Sequence, residues 1–110
     1  MKTKTIEILE QNITVKLCRL GNFFTVESTE NIVIPDDLEG GKAAEEIFAA
    51  FKKALIDECW CSWRIGKRFF ADPNNFFLTA IDKQFLPPEV AAYPENYWYD
   101  HTDEVWCRIN

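Results

Sequence analysis

The side chains that could do chemistry are few, and their spacing is uninformative for most reactions. Four cysteines occur, Cys18, Cys59, Cys61 and Cys107, with a single histidine, His101. A structural zinc site needs two ligand pairs, each separated by two to four residues. Here one C-x-C pair stands with two distant thiols, so we expect no metal and read the cysteines as small apolar residues of a reduced interior. One histidine and no G-x-S-x-G leave nucleophilic catalysis unsupplied, and His101 is expected as a solvated turn residue. Acid pairs such as Asp57/Glu58 and Asp103/Glu104 are too common in an acidic chain to mark acid–base work. Gly40-Gly41-Lys42 lacks the G-x-x-x-x-G-K-[ST] spacing of a phosphate loop. The expectation is a protein that is not an enzyme and holds no cofactor.

Aromatic residues are the more unusual feature. Nine Phe, four Trp and three Tyr occur among 110 residues. Phe48, Phe51, Phe76, Phe77 and Phe85 fall on apolar stripes and need no function. Six of the others gather as Trp60 with Trp63, and as Tyr97, Trp98 and Tyr99 with Trp106. Exposed Trp and Tyr are the anchors of interfaces and stacking pockets.

Charge sharpens that reading. Eighteen acids against twelve bases give a net charge of −6, which disfavours nucleic acid and anionic membranes as partners. From Leu86 to Glu104 the charges are all acidic, whereas Arg64, Lys67 and Arg68 form the compact basic patch. The leading expectation is a protein-binding module of inhibitor, immunity or accessory type. Tyr97, Trp98, Tyr99 and Trp106 would anchor it on a basic partner surface, and Asp100, Asp103 and Glu104 would form the charged rim. The alternative is a small-ligand site, conceivably for a nucleotide, in which Trp60 and Trp63 stack and Arg64, Lys67 or Arg68 meets an anionic group. The oligomeric state is left open.

The elements that must position these residues are partly readable. The length is that of one domain, able to bury about two-thirds of its extended surface. Apolar residues make up 47% and charged residues 27% of the chain, which is ordinary globular composition. The basic start lacks an apolar stretch behind it, and no run approaches a membrane span, so a soluble cytoplasmic protein is expected.

Strand-like runs cover Thr5 to Glu10, Ile13 to Leu20 and Phe23 to Ser28, broken at Gln11-Asn12 and Gly21-Asn22. Gly-Asn favours a two-residue hairpin turn. Pairing Leu20 with Phe23 sets Leu17 opposite Val26 and Lys16 opposite Glu27. Pairing Glu10 with Ile13 sets Ile8 opposite Val15, Ile6 opposite Leu17 and Glu7 opposite Lys16. Both hairpins then share one apolar face of Ile6, Ile8, Val15, Leu17, Phe24 and Val26. Ile32 to Ile34 is a candidate fourth strand.

After a Pro35–Gly41 loop, a helix starts near Lys42 with Ala44, Ile47, Phe48, Phe51 and Leu55 on one face. Its stripe continues to Cys59 and Ser62, with Gly66 as C-cap. The rival reading ends it near Asp57 and makes Trp60 to Ile65 a strand. Asp72-Pro73 reads as the entry to a second helix carrying Phe76, Phe77, Ala80, Ile81 and Phe85. Pro88 to Asn96 reads as a helical turn and loop, and Tyr97 to Ile109 as a hairpin about His101-Thr102-Asp103. The whole is one α+β domain. An antiparallel N-terminal meander packs on a long helix, a shorter helix follows, and a β-hairpin ends the chain.

Overall fold

The computed structural model describes residues 2–58, 67–72 and 76–109. Strands β1 (Lys2–Ile8), β2 (Gln11–Leu20) and β3 (Phe23–Ser28) form the N-terminal meander. Helix α1 (Gly40–Asp57) precedes β4 (Lys67–Asp72) and β5 (Phe77–Asp82), which form a second hairpin. A 3₁₀ turn at Lys83–Phe85, the short helix α2 (Pro88–Ala92) and another 3₁₀ turn at Pro94–Asn96 lead into the hairpin β6 (Tyr97–Asp100) and β7 (Val105–Arg108). The first five strands make one antiparallel sheet in the order β1-β2-β3-β5-β4. This is the α+β arrangement expected: meander, long helix, short helix and closing hairpin.

The β2–β3 register is the expected one, with Leu17 opposite Val26, Cys18 opposite Thr25 and Leu20 opposite Phe23. Lys16 and Glu27 face each other with ion-pair atoms 3.6 Å apart. The β1–β2 register differs. The turn is Leu9-Glu10, not Gln11-Asn12, so Ile8 meets Gln11, Ile6 meets Ile13 and Glu7 meets Asn12 instead of Lys16. Both turn residues are left-handed, with φ of 52° and 63°. The pair of positive φ values is what a type I′ hairpin turn requires. Each strand residue has moved by an even number of places, so the apolar face is the same in either register. The observed pairing extends β2 to Gln11, and the Gln11 side chain then clamps the chain after β3. Its Nε2 donates to Val33 O at 2.6 Å, and Val33 N donates to its Oε1 at 3.0 Å. Ile32 to Ile34 therefore runs as tethered irregular chain, not as a fourth strand.

Helix α1 lies on one face of the sheet. Ala43, Ile47, Phe51, Ala54 and Leu55 are buried, spaced as one helical stripe. They pack with Ile8, Ile13, Val15, Leu17, Val26, Leu78 and Ala80. Ala43 fills the first-turn position expected of Ala44. The helix stops at Asp57, which corrects the longer helix to Ser62. At Glu58 the backbone leaves helical geometry, and its carboxylate takes Lys2 Nζ at 2.6 Å and Lys4 Nζ at 3.5 Å. The strand suggested for Trp60 to Ile65 and the C-cap at Gly66 lie outside the described residues.

The larger correction concerns the expected second helix. Phe76, Phe77, Ala80 and Ile81 belong to β5 and its entry, not to a helix. β5 runs between β3 and β4, and its first five residues are all buried. Leu78 and Ala80 join the helix-side core. Phe77, Thr79 and Ile81 point to the opposite face. There a second core forms from Phe70, Ile81, Leu86 and Val90, with Phe23, Tyr97, Ala91 and Trp106 packed against it. The β3-β5-β4 part of the sheet is thus covered on both faces, by α1 on one side and by the C-terminal segments on the other.

Candidate functional site

The hairpin β6–β7 forms as expected, with Tyr97 opposite Arg108, Trp98 opposite Cys107, Tyr99 opposite Trp106 and Asp100 opposite Val105. Strand alternation divides its side chains into two sets. Tyr97, Tyr99 and Trp106 share the face turned to the sheet. The Tyr99 ring stacks on Phe23 at 4.8 Å, and Trp106 meets Phe70 edge-on at 4.7 Å and Tyr99 at 5.1 Å. Three of the four aromatic anchors named from sequence therefore spend part of their surface holding the hairpin on the sheet. All four remain half-buried.

The second set, Trp98, Asp100, Val105 and Cys107, occupies the opposite face of the hairpin. Val105 is 48% exposed, and Ile109 just beyond the strand is 49% exposed. Ile109 N donates to Asn96 O at 2.7 Å and closes the hairpin at its base.

The turn brings the acids together. Asp100 Oδ1 accepts from Thr102 N at 2.9 Å and from Asp103 N at 3.2 Å, a side-chain mimic of a backbone turn. Glu104 follows in the left-handed region at φ 56°. Asp103 and Glu104 are exposed. Their charges reach neighbouring groups. Burial, with help from Glu104 and Asp100, raises the Tyr99 phenol above its ordinary value. Burial, then Asp100, Asp103 and Asp72, raises the Cys107 thiol, so Cys107 is a poor nucleophile.

His101 is not the solvated turn residue expected. Its ring stacks flat on Phe77, with centroids 3.7 Å apart and planes 11° from parallel. Its Nδ1 lies 3.7 Å from Asp72 Oδ2, beyond hydrogen-bond range. That nitrogen is buried without a hydrogen-bond partner among the described residues. Asp72 ends β4 and caps no helix. It is 1% exposed and sits opposite Phe77 on the sheet face beneath the hairpin. Nothing in the sequence links Asp72 to His101, because the contact needs β4 and the hairpin turn to meet.

Between hairpin and sheet lies a cleft of about 220 Å³, lined by Phe23, Thr25, Tyr99, His101 and Glu104. Phe23, Thr25 and His101 were not among the sequence candidates. Their signal was the Gly21-Asn22 hairpin, which sets Phe23 and Thr25 on the face away from α1.

The basic patch is only partly visible. Trp60, Trp63 and Arg64 lie outside the described residues. Lys67 and Arg68 begin β4, with Arg68 opposite Ile81. Among the described residues no group of three or more His, Cys, Asp or Glu could hold a metal ion, and Cys18 and Cys107 are free thiols. Among the described residues no helix is long and apolar enough to cross a membrane. No protein-family model, curated protein or solved structure matches the chain.

Proposed function

We propose that the protein is a small, acidic, non-enzymatic binding module whose C-terminal hairpin docks on a basic surface of another protein. The observation that carries this reading is the outer side of the hairpin. Exposed Val105 adjoins the acidic turn of Asp100, Asp103 and Glu104, with exposed Ile109 at the base of the same hairpin, which places an apolar contact next to a rim of one charge sign. The rim is pre-formed, because Asp100 fixes the turn through two backbone hydrogen bonds and less ordering is needed on binding. The chain's net charge of −6 would steer a cationic partner at long range.

The test uses the full chain as bait beside a D103K/E104K variant. A partner held by the native protein should associate at least about tenfold more slowly with the variant at low salt, and the gap should shrink as salt rises. A partner whose association rate is the same for both proteins would refute docking through this rim.

A further inference from the structure

We propose that the cleft beneath the hairpin receives the guanidinium of an arginine side chain presented by the docking partner. The inference rests on the binding reading above and names the chemistry at its centre.

Size comes first. At about 220 Å³ the cleft falls below the roughly 300–1,000 Å³ of drug-sized or nucleotide-sized sites. One side-chain head is what it can hold.

The walls then choose the chemistry. Phe23, Tyr99 and His101 supply rings, Thr25 and Tyr99 supply hydroxyl oxygens, and Glu104 supplies a carboxylate. Asp72 stands behind His101 at 3.7 Å, and Asp100 fixes the turn that carries Glu104. Rings and carboxylates together attract a cation and repel phosphate or carboxylate ligands. A guanidinium suits this lining better than an ammonium, because it is planar, lies flat on a ring and forks onto a carboxylate while keeping its charge.

Among the described residues no lysine or arginine lines this cleft. Lys16 is held by Glu27 at 3.6 Å. Arg68 lies on the outer strand β4, two strands from Phe23, which is about 10 Å away across the sheet. The lip is also built for the task. Glu104 keeps a left-handed backbone at φ 56° and stands in the wall of the cleft.

The test needs no partner at first. N-acetyl-arginine amide is titrated into isotope-labelled protein while the Thr25 methyl and the Tyr99 and His101 ring resonances are followed. Saturable shifts with a dissociation constant of about 1–10 mM are expected for one desolvated cation. The neutral isostere N-acetyl-citrulline amide and N-acetyl-lysine amide should each bind at least about fivefold more weakly. Glu104→Gln should weaken arginine binding by about tenfold. Glu104 is exposed, so the fold should survive that change, and unchanged resonances of the α1 core will show it. No saturable shift up to about 100 mM, or equal binding of the citrulline or lysine probe, overturns the proposal.

The two readings fail separately. A partner that responds to the D103K/E104K change while arginine amide stays unbound sinks the arginine site alone. Arginine amide bound in the cleft, with every captured partner indifferent to that change, overturns the partner as its source.

Discussion

Glu10→Gly should stabilise the protein, and the sign of the effect decides the register of the first hairpin. Glu10 is exposed and holds φ 63° at the second position of the Leu9-Glu10 turn. A side chain there costs roughly 1–2 kcal/mol relative to the right-handed region. Glycine removes that strain and returns about 0.4–1 kcal/mol through the greater freedom of its unfolded chain. The net gain is about 0.5–1 kcal/mol, which for a domain of this size raises Tm by about 2–4 °C. In the competing register, with the turn at Gln11-Asn12, Glu10 would be a strand residue opposite Ile13. Glycine there would cost about 0.5–1 kcal/mol. Leu9 is the poorer target, because its side chain packs on the core. Urea unfolding followed by circular dichroism is the assay, with an unchanged m value as the check that the unfolded state is comparable. A fall in stability on Glu10→Gly would refute the two-residue turn.

Two further outcomes test the second core. Thr79 is 0% exposed, and its hydroxyl has no hydrogen-bond partner among the described residues. Thr79→Val keeps the shape and removes an unsatisfied polar group, so it should stabilise by about 1 kcal/mol in urea unfolding; a loss of that size would mean that the hydroxyl is satisfied after all. Tyr99 holds its phenolic proton above the ordinary value of 10.0 because of burial, Glu104 and Asp100. The folded state therefore keeps a proton that the unfolded chain releases first. Its contribution is intact below about pH 10 and is lost as pH rises through the folded value. Native protein should lose more stability than Tyr99→Phe as the pH rises past about 10, and parallel losses would show that Tyr99 ionises alike in both states.

What the sequence disclosed follows from how strongly each residue pattern constrains the chain. The β2–β3 pairing was legible because Gly21-Asn22 fixes the turn and alternation fixes the face. The first hairpin was legible in face but not in register. Ile6, Ile8, Ile13, Val15 and Leu17 stay on one side under any even shift, and no glycine marks Leu9-Glu10 as left-handed. β5 was misread because a strand buried on both faces does not alternate. Phe77, Ala80 and Ile81 satisfy a helical stripe as well as a central strand. The same error hid Asp72, since its neighbour Pro73 makes it resemble a helix cap. Of the candidate site, the hairpin, its turn and the two-sided division of Tyr97, Trp98 and Tyr99 were readable. The cleft was not, because Phe23, Thr25 and His101 are far apart in sequence and meet only through tertiary packing.

The abundance of aromatic rings has a structural account that changes where binding strength would have to arise. A sheet covered on one face needs one apolar layer, whereas the β3-β5-β4 part of this sheet is covered on both. Phe51 and its neighbours serve the first layer, and Phe23, Phe70, Tyr97 and Trp106 serve the second. Removing the Trp106 ring would therefore disturb the fold and any interface together, and loss of binding on Trp106→Ala would not locate the contact. Residues that face outward separate the two effects. Val105 is 48% exposed on the far side of the hairpin, so Val105→Asp costs the isolated fold little while placing a charge at the centre of the proposed contact. The hairpin's two faces are thus divided by strand alternation: Tyr97, Tyr99 and Trp106 hold it to the sheet, and the face of Trp98, Asp100, Val105 and Cys107, with the acidic turn, is the one proposed to meet a partner.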